Sequence, residues 1–174
     1  MSSTPYAILG LLCIEPMTGY GVQRSLEESV SHFWSESYGQ IYPALRRLEA
    51  AGLVRSTPSR TGARKGKVFA ITPKGRKHFA WWLGEPPKVQ PPRNELLLKL
   101  FFGRYAAPGT CAAHLRLLLQ QQRELISRLQ QTERQLRIGR RAHPDLRFWT
   151  ATIGAGLSNA RALLDWSEQA LASL

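Results

Sequence analysis

The spacing of apolar positions changes several times along the first half of the chain, and each change marks the edge of an element. AILGLLCI, residues 7–14, is apolar throughout apart from one glycine and predicts a short buried helix over residues 5–14. Pro5 falls in its first turn, where a missing N–H costs little, and Pro16 ends it. Thr18 is placed to cap a second helix, whose Val22, Leu26 and Val30 recur every four residues. A third amphipathic segment, SYGQIYPALRRLEAAGLV (residues 37–54), carries Leu45 and Leu48 and runs to Gly52, a residue suited to the left-handed position after a helix. The period then shortens to that of strands. LVRSTPS and KVFAIT flank RTGARKG, which predicts a hairpin with its tip at Arg60 to Lys67. In TPKGRKHFAWWL the helical pattern resumes, with Thr72 as cap and Pro73 in the first position.

GEPPKVQPP, residues 84–92, has no periodicity and reads as a stiff linker. The expected organisation is therefore a domain over residues 1–83, the linker, and a helical domain over residues 93–174. RNELLLKLFFGRYA is so apolar for its length that burial on most sides is expected. Leu115, Leu118, Gln122, Leu125, Leu129, Thr132 and Leu136 alternate steps of three and four, the mark of a heptad seam. After a turn at His143-Pro144, Leu146, Trp149, Ile153, Leu157, Ala160, Leu164, Ser167, Leu171 and Leu174 form a second seam. Two antiparallel long helices follow. Apolar residues beyond the seams (Leu117, Leu119, Ile126, Leu163, Trp166) suggest a partner chain.

Charge sharpens this picture. The chain has 24 Lys and Arg against 12 Asp and Glu, a formal net charge of +12, which favours polyanionic partners. Residues 44–77 alone hold ten basic side chains and one acidic, Glu49. That block begins inside the third helix and runs through the hairpin into the fourth. Three basic residues early in the fourth helix oppose its dipole, which suggests an external anion. Pro43 is the other anomaly: a proline inside a helix removes a hydrogen bond and costs about 3 kcal/mol.

Other chemistries find little footing. His32, His78, His114 and His143 are scattered and form no H-E-x-x-H pair. GARKGKV lacks P-loop spacing, and Val68 follows Lys67 where Ser or Thr would hold magnesium. Cys13 and Cys111 suit neither a disulfide framework nor a metal site. No enzyme activity, cofactor or metal is expected. The longest early apolar run has eight residues, against about 20 for a membrane span, and MSSTPY lacks the basic start of a secretory signal. A cytoplasmic location is expected.

Helix, helix, helix, hairpin, helix is the order of a winged helix-turn-helix, whose third helix enters the DNA major groove. ILGLLCIEPMTGYGVQRSL, YGQIYPALRRLEAAGLV and KVFAITPKGRKHFAWWL resemble the PadR family of bacterial transcriptional regulators over residues 5–83. The part from RNELLLKLFFG onward resembles the subgroup with a long C-terminal helical domain, like virulence-gene activators. The resemblance implies a mainly α winged-helix protein, a homodimer joined through its C-terminal helices, and a pseudo-palindromic operator in double-stranded DNA.

By the same analogy, Tyr20 should reach a phosphate, and Ser37, Tyr38, Gln40 and Tyr42 should face the groove. Gln40 is the best-suited base reader, because its amide can bond adenine N6 and N7 together. Arg46 and Arg47 would grip phosphates or guanine, and Arg60, Arg64, Lys65 and Lys67 would add sequence-independent attraction. Trp81, Trp82, Trp149 and Trp166 are the candidates for a pocket taking a planar aromatic effector. The competing reading is a winged helix used only for protein–protein contact; a +9 block argues against it, since interface cores are depleted in charge.

Overall fold

In the computed structural model, which describes residues 3–34, 38–58, 66–88 and 93–174, the chain divides into two compact units, Met1–Val89 and Gln90–Leu174. The first runs α1 (Thr4–Ile14), β1 (Met17–Thr18), α2 (Gly19–Ser29), α3 (Tyr38–Ala50), β2 (Val54–Pro58), β3 (Lys67–Ile71) and α4 (Pro73–Gly84). Local chemistry sets most of these edges. Thr18 caps α2 by accepting the Gly21 N–H at 3.0 Å, and Thr72 caps α4 by accepting the Gly75 N–H at 3.0 Å. Helix α3 ends in a Schellman turn: the Leu53 N–H donates to Leu48 O and the Gly52 N–H to Glu49 O, each at 2.9 Å. Gly52 takes φ +69°, which only a residue without Cβ adopts freely.

The three strands form an antiparallel sheet in the order β1-β3-β2, with Val54 opposite Ile71 and Thr18 opposite Val68. Strand β1 is too short to show any alternation, and nothing in the sequence pattern marks it. One core lies beneath: Ile8, Leu9 and Leu12 from α1, Val22 and Leu26 from α2, Ile41, Ala44, Leu45 and Leu48 from α3, and Phe69 and Ile71 from β3. Burying one such side chain is worth about 1.5–3 kcal/mol. On the α1–α4 side, Tyr6 stacks on Trp82 with ring centroids 4.5 Å apart and planes within 5°.

The second unit contains α5 (Glu95–Phe101), a single 3₁₀ turn (Gly103–Tyr105), α6 (Thr110–Gly139) and α7 (Leu146–Ser173). The long helices pack along the expected seams, with Leu115, Leu129, Ile153, Leu157 and Ala160 buried. Two expectations are corrected here. Leu119, expected as surplus beyond the seam, is buried within the chain. Helix α5, expected to be covered on most sides, has no buried residue. Apolar composition signals a need for cover, but it does not say which chain supplies it. Among the described residues, no helix is long and apolar enough to cross a membrane.

Candidate nucleic-acid interface

Helix α3 separates its residues cleanly. Ile41, Ala44, Leu45 and Leu48 are buried, whereas Gly39, Gln40, Tyr42, Arg46, Arg47 and Ala50 are exposed. At 100° per residue, Gly39, Pro43, Arg46 and Arg47 centre on the face opposite the core, with Gln40 and Tyr42 at its flanks. Because α3 begins at Tyr38, Pro43 lies in its second turn and cannot donate to the Gly39 carbonyl. The Arg47 Nε donates to Pro43 O at 3.3 Å, which draws that guanidinium along the outer face. Gln40 is exposed; its Oε1 is 3.5 Å from the Thr4 hydroxyl, the outer limit of a hydrogen bond.

Tyr20 and Tyr42 are both exposed, in α2 and α3 respectively. Tyr42 lies directly over Gly19: a Cβ there would sit 2.6 Å from the ring's Cε1. Glycine at the start of α2 is therefore what lets the two helices of this corner meet. Ser37, Arg60, Arg64 and Lys65 lie outside the described residues, as does the Tyr38 side chain.

Lys67 stands where the strand-like run KVFAIT begins, at the inner edge of the expected hairpin tip. It is the first residue of β3, paired with Pro58, and its Nζ lies 3.9 Å from a Glu49 carboxylate oxygen. The other Glu49 oxygen accepts the hydroxyl of Ser56 on β2. Glu49, the only acidic residue of the basic block, therefore ties the outer edge of α3 to both strands of the wing. Sequence reasoning missed this role, although a lone carboxylate among ten cations is a signal that could have pointed to it.

The first basic residue of α4 also has an internal partner. Lys74 Nζ donates to Ala51 O at 2.9 Å, and the Thr72 hydroxyl reaches Gly52 O (2.8 Å) and Leu53 O (3.1 Å). Lys74 answers the carbonyl-rich end of α3, which accounts for one of the three basic residues there. Arg76 lies close enough to Cys13 to pull its thiol pKa down, but burial dominates and holds that thiol above its ordinary value.

The four candidate tryptophans divide between the two units, Trp81 and Trp82 in the first and Trp149 and Trp166 in the second. Trp82 packs on Tyr6 and Phe79, Trp81 is exposed beside His78, Trp149 stacks on His143 at 4.5 Å, and Trp166 is half-buried. Two shallow grooves run along α6, one lined by Arg116, Leu119, Gln120, Arg123 and Glu124 and one against α5; none of the tryptophans lines either. Among the described residues, no group of three or more His, Cys, Asp or Glu could hold a metal ion.

Known proteins share both the sequence pattern and this geometry. The sequence model of the Transcriptional regulator PadR-like family matches residues 8–80, and that of the Virulence activator alpha C-term matches residues 92–174. Residues 8–80 thus form a PadR-like domain, followed by one of the virulence-activator C-terminal type. Two curated relatives are similar: Probable transcriptional regulator Rv1176c of Mycobacterium tuberculosis is 39% identical over 83 residues, and Negative transcriptional regulator PadR of Bacillus subtilis is 34% identical over 100. These alignments cover 47% and 56% of this chain and 44% and 54% of the relatives, so the chain spans about half the length of the curated relatives it matches. Both are regulators of transcription rather than enzymes.

Solved structures match more completely. Smu.1604c of Streptococcus mutans UA159 has a TM-score of 0.85 at 26% identity over 99% of both chains. B. subtilis PadR in complex with operator DNA has 0.83 at 25% identity over 99% of both. The same protein in complex with p-coumaric acid has 0.75 at 25% identity over 99% of this chain and 98% of that one. The fold is thus the mainly helical winged helix-turn-helix with a helical C-terminal part.

Proposed function

We propose that this PadR-family regulator works as a cytoplasmic homodimer that reads a pseudo-palindromic operator, with residues 1–83 binding DNA, 84–92 linking and 93–174 dimerising. The observation that carries it is the split face of α3: core residues on one side, and on the other an exposed strip bearing Gln40, Tyr42, Arg46 and Arg47 within the most basic block of the chain. The operator complex of B. subtilis PadR supports the same use of the fold.

In this reading Gln40 reads a base edge, with Ser37, Tyr38 and Tyr42 beside it. Tyr20, Arg46 and Arg47 hold phosphates, and Arg60, Arg64, Lys65 and Lys67 attract the backbone from the wing. The wing's contribution is electrostatic and sequence-independent, about −0.9 in the log–log salt slope for each phosphate neutralised. Half-sites fall about one helical turn, or a multiple of it, apart. A planar aromatic effector, with Trp81, Trp82, Trp149 and Trp166 as its candidate contacts, is supported by the p-coumaric acid complex of the B. subtilis protein.

Selection of bound duplexes from a random pool at fixed salt tests this directly. A palindromic motif is expected. Gln40→Ala should relax preference at one position of each half-site, whereas Lys65→Ala should weaken binding to all sequences and flatten the salt slope. Recovery of unrelated sequences with no motif would overturn specific recognition.

A further inference from the structure

Two residues on the outer ridge of α3 oppose the helix they stand in. Gly39 in the first turn and Pro43 in the second are of the two types least suited to a helix, and they lie one turn apart on the face turned from the core. Folding accounts for neither. Gly52 takes a left-handed backbone, Gly19 makes room for the Tyr42 ring, and Gly75 makes room for Leu53 O. Gly39 has no positive φ, and a Cβ on it would meet nothing within 4 Å among the described residues. Pro43 is not one of the buried residues of α3. What the pair shares is one atom. An N–H at residue 43 would donate to the Gly39 carbonyl; proline has none, and its ring crowds that oxygen off the helical line. Among the described residues no side chain takes the place of that donor, whereas Pro43 O, one turn on, receives Arg47 Nε at 3.3 Å.

We infer that the Gly39 carbonyl is itself a base reader, accepting a hydrogen bond from the exocyclic amine of adenine or cytosine in the major groove. This rests on the reading of α3 as the groove-facing helix, and adds to Gln40 a second reader made of backbone. Proline frees the acceptor, and glycine removes the side chain that would hold a base edge away from it. A carbonyl without its helical partner is harmless while it faces water and becomes useful when a donor arrives. On the major-groove edge the donors are adenine N6 and cytosine N4, whereas guanine O6 and N7 and thymine O4 are acceptors. A fixed acceptor therefore admits adenine or cytosine at its position and repels guanine and thymine. Being backbone, this reader cannot be deleted by changing its own side chain; residue 43 is the handle on it.

The test starts from the duplex that wild type selects out of a random pool. At each position of a half-site, adenine is replaced by purine, or cytosine by 2-pyrimidinone, which removes the amine and leaves the rest of the ring. Binding of the full chain is then followed by fluorescence anisotropy at fixed salt. At one position wild type should lose about 3- to 10-fold in affinity, the loss of a single neutral hydrogen bond. Pro43→Ala gives the carbonyl an internal donor, so it should bind the intact duplex more weakly by the same factor and ignore the missing amine at that position. Comparing the two proteins subtracts any effect of the analogue on the duplex itself. Gln40→Ala leaves the backbone as it is and should keep the amine dependence, which holds the test open even if Pro43→Ala misfolds. A motif with no amine dependence, the same dependence in Pro43→Ala, or its disappearance in Gln40→Ala would each overturn the role of the carbonyl while leaving α3 in the groove. Recovery of no motif at all would overturn groove reading by α3 and the carbonyl with it.

Discussion

Replacing Gly75 by alanine sets two effects of opposite sign against each other. Alanine is the better helix former by up to about 1 kcal/mol, so propensity alone predicts a more stable α4. Space predicts the reverse. A Cβ on Gly75 would lie 2.0 Å from Leu53 O, 2.8 Å from Ile71 Cγ1 and 3.0 Å from Leu53 C. The Leu53 carbonyl cannot easily retreat, because it accepts the Thr72 N–H at 3.0 Å and the Thr72 hydroxyl at 3.1 Å. The Leu53 N–H, in turn, closes the end of α3. Opening a gap of more than about 1 Å would stretch or break two or three hydrogen bonds at about 0.5–1.5 kcal/mol each, beside an overpacking cost of about 1–3 kcal/mol. The balance is a net loss of about 2–4 kcal/mol. At about 4–8 °C per kcal/mol for a small domain, melting of the N-terminal unit should fall by roughly 10 °C or more. Near-ultraviolet circular dichroism reports it through Trp81 and Trp82 on α4. Gly84→Ala, at the open end of the same helix with nothing within 4 Å of its Cβ, serves as the control and should melt within a few degrees of wild type. A Gly75→Ala protein as stable as wild type would refute the close approach of α4 to the end of α3.

Glu49→Ala should cost about 1–2 kcal/mol in chemical denaturation, chiefly through the lost Ser56 bond, since the exposed Lys67 pair contributes little. Glu49→Gln, which keeps an acceptor for Ser56, should recover most of it. Pro43→Ala restores a donor to the Gly39 carbonyl and should stabilise the protein by about 1–3 kcal/mol. If operator affinity and specificity are then unchanged in fluorescence anisotropy, the proline has no part in docking. Cys13 has a raised thiol pKa, so less thiolate is present near pH ~8 than for a free cysteine. Its alkylation rate, followed by mass spectrometry, should climb only at higher pH; a fast reaction near neutrality would contradict its burial.

Features set by residues near in sequence are legible in the sequence itself. The caps at Thr18 and Thr72, the stop at Gly52 and the seams of α6 and α7 each depend on a few adjacent side chains and one helical period. What the pattern does not carry is tertiary. Strand β1 exists because β3 offers it a partner, not because Met17 and Thr18 favour a strand. Lys74 is misplaced as judged by its own helix, and makes sense only with the carbonyls at the end of α3 in front of it. In the candidate interface, the outer face of α3 follows from its amphipathic spacing, whereas the Glu49 tie to the wing depends on which strands pass beside it.

The junction around Ala51, Gly52 and Leu53 has a mechanical meaning as well as an energetic one. Three consecutive carbonyls at the end of α3 are held by Thr72 and Lys74, and the missing Cβ of Gly75 lets the backbones touch. There is no slack between these two helices for a hinge to use. A push on α4, through Tyr6 and Trp82 where it meets α1, is passed on as a tilt of α3 rather than absorbed on the way. The helix proposed to read DNA is thus coupled to its own scaffold like the far arm of a rigid crank.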